Sequence, residues 1–446
     1  MVRLTPSRLL CAAMLLCTFL SVSFITNLLY GPRGYELLEH PPPDSRPLSA
    51  DADADVPYGE KCSPFQAGVM DHVTIVLRMG AGEVSMQLPA YLNRLGRCKQ
   101  DLLLFSDRKA EYNGLEIHDV LANLRPEYRY NNQDFEVYDA IQRGDNSDEK
   151  TREGWRLDKY KFLPMMELTR HFRPKSHWFV FLELDTYVNW DNMHRFLVNF
   201  DHKSPYYFGS PVWPRKKPVF AHGGSGFVLS SAALDKLMAR GRMFAENKYL
   251  PGTHLFGKDM KKECCGDEVL ASVLKASGTT IRGYWPMFNG EKPITARFGR
   301  EQWCEAILTL HHLGNDDFAA LGRWESSSHR TPSKPLTFEE LFTHIEPALR
   351  GRIEDWTNMS EDVTHDGGHA GKSFDGCSAA CMKDHKCMQF QHSGDTCRLS
   401  HDIRLGHHQP AEGGKRWTSG WNMDRIEAFK KVHSPCDGAH FVHANP

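Results

Sequence analysis

The hydrophobic pattern divides the chain before any motif is considered. Arg3 and Arg8 precede an uncharged, mostly apolar run from Leu9 to about Tyr30. About 20 residues at 1.5 Å each span a bilayer, so this run predicts a transmembrane helix over 9–30. The positive residues ahead of it place residues 1–8 in the cytoplasm and the body in the lumen. Tyr30-Gly31-Pro32-Arg33 follows without a small-residue cleavage pattern, which favours an uncleaved signal anchor over a removed signal peptide. Over 31–60 the pattern dissolves. Pro41, Pro42, Pro43 and Pro47 and the Asp51-Ala52-Asp53-Ala54-Asp55 repeat predict an extended, solvated stem.

From His72 onward apolar runs alternate with helical spacing. Val73–Leu77, Leu102–Phe105, His177–Leu182 and Phe227–Leu229 predict buried strands. Leu88–Leu95 predicts a short helix with Pro89 in its first turn, where proline is tolerated. Trp155–Phe172 has helical spacing, with Pro164 marking a kink or break. A further helix begins at Ser231, carrying Leu234, Leu237 and Met238 on one face. The stretch from Arg125 to Glu153 has no clear period and predicts a surface loop or flap. Strands alternating with helices predict an α/β domain over 61–350 built on a mostly parallel sheet. Such sheets bind ligands at the C-terminal ends of their strands.

The chain has 446 residues, with 54 Lys+Arg against 56 Asp+Glu and a net charge of −2. That balance argues against a nucleic-acid binder held by bulk electrostatics. Of 12 cysteines, Cys11 and Cys17 fall in the apolar run; the other ten suit a disulfide-bonded lumenal body. Asn358-Met359-Ser360 is a glycosylation sequon compatible with that compartment.

Candidate chemistry concentrates at strand ends. Glu183 and Asp185 close the apolar run Phe181-Leu182-Glu183-Leu184-Asp185. Positions i and i+2 of a strand share a face, about 6.6 Å apart along it. Two carboxylates placed so repel unless a cation lies beside them, and hard oxygen ligands with open positions suit Mg²⁺ or Mn²⁺. Two solvated acids at a strand end, or a glycoside-hydrolase acid pair, are the competing readings. His222-Gly223-Gly224-Ser225-Gly226 lets backbone approach a ligand closely. Asp267 and Glu268 open a helical run, where acids also serve simply as caps. His311 and His312 end the apolar run Leu308-Thr309-Leu310, where a histidine can complete a metal site begun by carboxylates elsewhere.

In this order and spacing, Trp178-Phe179-Val180-Phe181-Leu182-Glu183-Leu184-Asp185-Thr186-Tyr187-Val188, the glycine-rich segment, Cys265-Gly266-Asp267-Glu268-Val269-Leu270 and Leu308-Thr309-Leu310-His311-His312-Leu313 resemble glycosyltransferase family 31. The likeness covers roughly residues 70–345 and is nearest to Fringe-like and core-1 β-1,3-galactosyltransferase-like proteins of fungal type. It implies an α/β GT-A nucleotide-sugar transferase fold, a UDP-sugar donor, a glycan or glycoprotein acceptor, and a divalent cation, usually Mn²⁺. Glu183 and Asp185 match the outer acids of the family's D-x-D motif, with Asp185 binding metal and Glu183 supporting the metal or the ribose. Glu183 departs from the usual Asp, and Leu184 replaces the middle acid of animal members. His311 matches the later metal ligand, with His312 adjacent. Asp267 matches the proposed general base, with Glu268 second. Asp107 resembles the acid near the uridine, and Lys159 and Lys161 on Trp155–Lys161 approach the diphosphate. Gly223 and Gly224 belong to the nucleotide-sugar wall. The resemblance implies an inverting hexosyltransferase, with galactose in β-1,3 linkage favoured, anchored as a single-pass type II protein of the Golgi membrane.

Cys377, Cys381, Cys387 and Cys397 form a dense C-terminal cluster, read as metal-binding or as disulfides, with a lumenal body favouring disulfides. The spacing over 360–430 resembles a small disulfide-rich PAN/Apple-like module, ahead of a tail over 431–446. That resemblance implies nested pairs, Cys377 with Cys397 and Cys381 with Cys387, and a role in binding protein or carbohydrate or as a structural appendage. Among the six body cysteines, Cys62 with Cys98 is the first expected pair, and vicinal Cys264 and Cys265 are expected to bond elsewhere. The rival to an enzyme is a non-catalytic lumenal binding protein with a degenerate transferase body; a secreted glycoside hydrolase is the second rival.

Overall fold

The computed structural model describes residues 68–95, 101–124, 126–144, 153–246, 260–327, 334–441 and 444. The expected anchor over 9–30, the stem over 31–60 and the expected Cys62–Cys98 pair lie outside the described residues. Among the described residues no helix is long and apolar enough to cross a membrane.

The apolar runs form the centre of an eight-stranded sheet. Its strands are β1 (Val73–Arg78), β2 (Leu102–Ser106), β3 (Ala110–Tyr112), β4 (Leu115–Asp119), β5 (Trp178–Glu183), β6 (Tyr207–Gly209), β7 (Phe227–Ser230) and β8 (Ile281–Gly283). They lie in the order β8-β6-β7-β5-β1-β2-β4-β3. β1 and β5 are buried on both faces, which explains why they read as continuous rather than alternating apolar runs. Ile75, Leu77, Val180 and Leu182 join one core cluster. Val76, Phe179 and Phe181 join the other, with residues of helices Asp158–Phe172 and Gly266–Ala276.

The sheet is mixed rather than mostly parallel. β5-β1-β2-β4 and β6-β8 pair parallel, while β7 is antiparallel to both β5 and β6, and β3 to β4. A parallel return needs a crossover, usually a helix. The link from β6 to β7 carries only the ribbon of Pro211–Val212 with Phe220–Ala221, so the chain comes back antiparallel.

Two local expectations are corrected. The stretch from Arg125 to Glu153 contains helices Pro126–Arg129 and Asp134–Gln142, and Phe135, Val137, Tyr138, Ala140 and Ile141 are buried. Acids interleaved among these residues blur the period, but Phe135 packs edge-on against Tyr160 at 5.0 Å. Helix Asp158–Phe172 continues through Pro164 without a break.

The C-terminal region forms a five-stranded antiparallel sheet from β9 (Ile353–Glu354), β10 (Val363–Asp366), β11 (Gln389–Ser393), β12 (Thr396–Ser400) and β13 (Trp417–Trp421), in the order β9-β13-β11-β12-β10. Cys377–Cys397 and Cys381–Cys387 are the nested disulfides that the resemblance implied. They enclose a small core with Phe390 and Leu399. This region also packs on the α/β body. Phe298 and Ile403 exchange backbone hydrogen bonds of 2.9 Å, and Ile403, Leu405, Trp421 and Ile426 belong to the core cluster that holds Phe298 and Trp303. Cys304–Cys436 bridges 132 residues of chain. Cys264 and Cys265 bond to each other, against expectation, at the entrance to helix Gly266–Ala276.

The sequon is not a surface loop. Asn358 is fully buried; its Nδ2 donates to the Phe390 and Gly420 carbonyls at 3.0 and 3.3 Å, and Ser360 Oγ donates to its Oδ1 at 2.8 Å. The folded protein therefore leaves no room for a glycan on this nitrogen. We expect secreted-pathway protein to carry an unmodified Asn358 by peptide mass mapping. Asn358→Ala should cost about 1–3 kcal/mol in denaturant unfolding, as for a buried polar group that loses its partners. A glycan at Asn358 in folded protein would contradict this.

Candidate active site

At the C-terminal ends of β1 and β5 the apolar runs stop at polar residues facing each other. Arg78 and Glu183 are register partners, and their side chains form an ion pair. Asp185 lies past the strand, in the turn before Tyr187–Val188, which pairs with Thr309–Leu310. That pairing brings the 309–312 segment to the carboxylates. His311 Nε2 stands 3.2 Å from Asp185 Oδ1 and 3.8 Å from Glu183 Oε2, and His312 Nδ1 is 3.8 Å from Asp185 Oδ2. His312 sits at φ 62°, in the left-handed region that non-glycine residues occupy only uncommonly, though histidine enters it more readily than most.

Charge sets the protonation of this cluster. Burial alone would lower the His311 imidazole, but Asp185 and Glu183 push it up to about 9. Burial alone would raise Glu183, but Arg78 and His311 hold it at about 2. His312 and His222 are both lowered, first by burial and then by the His311 charge.

The glycine-rich segment crosses beneath. A Cβ on Gly224 would come within 2.2 Å of His311 Cε1, so only glycine lets the backbone pass this ring. Gly226 turns at φ +74°, again suited to glycine. Thr186 Oγ1 donates to the Gly224 carbonyl at 2.8 Å, and Thr309 Oγ1 to that of Ser225 at 2.6 Å, tying the segment to both metal-side strands. On its other side, Gly223 N–H donates to Asp267 Oδ2 at 2.9 Å, while Glu268 N–H donates to Asp267 Oδ1 at 2.8 Å. Burial raises the Asp267 carboxyl against the pull of these two amides.

A cleft of about 250 Å³ joins these parts, lined by Arg78, Lys159, Glu183, Gly223, Gly224, Asp267 and His311 among others. The other expected site residues stand back from it. Asp107 is buried, accepting from Ala81 N–H at 2.8 Å and pairing with Lys161 at 2.7 Å. Lys161 is likewise buried and also meets Asp158 at 2.9 Å, so its ammonium is spent inside the protein. Glu268 is buried and ion-paired with Lys217. Lys159 reaches the cleft while pairing with Asp134 at 3.1 Å.

Of the other lining residues, Arg78 lay in no motif, while His222, Trp155 and Cys265 lay in motif segments with no role of their own assigned. Arg78 was legible as the charged end of a buried strand. Trp155, 70% exposed, lines the cleft at the start of the Trp155–Lys161 segment.

Asp185, His311 and His312 offer ligand atoms within 4.8 Å of one another. One carboxylate and two imidazoles form a mixed oxygen and nitrogen set that fits a divalent transition metal and leaves positions for substrate oxygens. His311 Nδ1 is also buried without a hydrogen-bond partner among the described residues. Glu183 falls outside that three-residue group, because Arg78 occupies its cation side.

Residues 156–275 match the Fringe-like family. A 65-residue stretch is 37% identical to glycoprotein-N-acetylgalactosamine 3-beta-galactosyltransferase 1 of Xenopus laevis, covering 15% of this chain and 18% of that protein. The chain thus spans under a fifth of the length of that relative. The Fringe-like segment holds Asp185 and, from the cleft itself, Glu183, Gly223, Gly224 and Asp267.

Two outcomes follow from the geometry. Gly224→Ala should displace His311, abolish saturable Mn²⁺ binding in titration calorimetry and lower the melting temperature, as overpacking of about 1–3 kcal/mol would. In metal-free protein His311 should titrate near pH 9 by NMR. Because that value lies above the unfolded value of about 6.5, its stabilising contribution is complete below about pH 6.5 and fades as pH rises through 9. A midpoint near 6.5 would show that the carboxylates do not hold the imidazolium.

Proposed function

We propose that this chain is an inverting, metal-dependent glycosyltransferase that takes its sugar from a UDP-sugar donor. The observation that carries the reading is that Asp185, His311 and His312 gather ligand atoms within 4.8 Å of one another, while His311 and Asp267 line one cleft together with residues of a Fringe-like segment. The family match and the galactosyltransferase relative support transfer of a sugar, and galactose in β-1,3 linkage to a glycan or glycoprotein is the favoured assignment.

Asp185, His311 and His312 would hold Mn²⁺ or a similar cation. When bound, the cation supplies charge neutralisation at a leaving diphosphate. The chain's own groups do the rest. Arg78 and Lys159 add positive charge to the same cleft. Asp267 is positioned by two backbone N–H groups, and each oxygen keeps a second lone pair for a proton. With its pKa raised by burial, it is a better base toward an acceptor hydroxyl than an exposed aspartate. Attack from the Asp267 side on the face opposite the leaving group inverts the anomeric centre. The apolar run over 9–30 and the disulfides support a type II protein of the Golgi membrane, with its body in the lumen.

A panel of UDP-sugars with Mn²⁺ tests this. Transfer should stop on chelation, return with Mn²⁺ and vanish in Asp185→Ala. Asp267→Asn should keep UDP binding and lose about 10²- to 10⁴-fold in kcat. The Arg78–Glu183 pair, which satisfies one carboxylate without metal, favours the binding-protein reading. Absence of UDP binding at any Mn²⁺ concentration would establish that reading, and metal-independent hydrolysis would establish a hydrolase.

A further inference from the structure

A second cavity, of about 180 Å³, lies on the C-terminal sheet and is lined by Gln391, Ser393, Thr396, Arg398, Lys415 and Trp417. The strand register explains the grouping. Trp417 is opposite Ser393, which is opposite Thr396; one step of two along, Gln391 is opposite Arg398. All therefore project from one face of the sheet. The opposite face is already taken: Phe390, Leu399 and Cys397 share a core with Cys377 and Cys381.

The lining has a definite chemistry. Arg398 and Lys415 are exposed and form no ion pair among the described residues, whereas neighbouring Arg416 is paired with Glu354 and Asp355. The Arg398 guanidinium lies 6.0 Å from the Trp417 ring centroid. Ser393 and Thr396 add hydroxyls, and Thr396 Oγ1 donates to one oxygen of Asp366 at 2.9 Å, so a single carboxylate stands at the rim opposite the two cations. Gln391 is held by Thr357 and by the Ser360 carbonyl, so the floor is fixed. An indole beside two unneutralised cations and two hydroxyls, in a space well below the roughly 300–1,000 Å³ of drug-sized pockets, matches one ring-sized, polyhydroxylated, anionic unit.

We propose that this cavity is a second glycan site, which takes a single uronate or sulfated sugar residue with its ring against Trp417 and its anion on Arg398 and Lys415. It is separate from the transfer cleft: no residue lines both. Its occupancy does not depend on whether the cleft transfers sugar.

The test is equilibrium binding to the folded lumenal chain, read by titration calorimetry and indole fluorescence. The probes are a glucuronate-containing disaccharide, its sulfated form, a neutral disaccharide and a hexaglutamate peptide. Saturating UDP and Mn²⁺ are present throughout to block the cleft. An acidic disaccharide should bind, the neutral one at least tenfold more weakly. Arg398→Gln and Lys415→Gln, both at exposed positions, should each weaken it about tenfold, the loss expected for a charge-assisted hydrogen bond. Equal binding of the neutral sugar, binding unchanged in both variants, tighter binding of the peptide, or no binding of either acidic disaccharide would each overturn the proposal.

Discussion

The arrangement of charge between Arg78, Glu183, His311 and Asp185 is the constraint on which the site depends. Glu183 ends β5 beside the end of β1, where two buried strands leave little water to solvate a carboxylate. Arg78 satisfies it from one side and His311 from the other, while Asp185 draws the same imidazole from below the turn. Removing a carboxylate leaves the nearly buried Arg78 guanidinium or His311 imidazolium less compensated, which destabilises the cluster. The cluster therefore fixes the ends of β1 and β5 and the 309–312 segment relative to one another, and the proposed cation site on Asp185, His311 and His312 would inherit that rigidity.

The glycine-rich segment turns this cluster into a cleft. Gly224 passes against the His311 ring, where a methyl group would not fit, and Gly223 reaches the Asp267 carboxylate on the far side. Two neighbouring backbone positions thus set the separation between His311 and the Asp267 carboxylate. A proximity that depends on backbone contact tolerates little change, because a side chain cannot move aside to restore it.

The C-terminal region contributes to the same stability. Its sheet is closed on one face by a disulfide-pinned helix, and Ile403, Leu405, Trp421 and Ile426 complete the core beneath the 298–342 part of the body. Arg297 meets Glu361 at 2.6 Å across the junction, and Cys304–Cys436 closes it covalently. Such a junction resembles a shared core more than a flexible tether, so the second cavity is held in a fixed relation to the cleft.

Much of this was legible along the chain, and the divide has a physical cause. Long apolar runs need burial wherever they fold, so β1, β2, β5 and β7 and the acids at their ends were visible as periodicity and its interruption. The nested cysteine pairs were legible only through the resemblance of their spacing to a PAN/Apple-like module. The mixed sheet was decided by the short link from β6 to β7, and helix Asp134–Gln142 by what Phe135 and Tyr138 pack against; both depend on distant partners. The same holds at the site. Sequence order brought Glu183 and Asp185 together, but only the fold shows Arg78 neutralising one of them, Lys161 enclosed with Asp107, and Asn358 buried within its own sequon. A residue type offers a charge or a donor; which partner meets it depends on long-range packing, and short-range pattern does not record that.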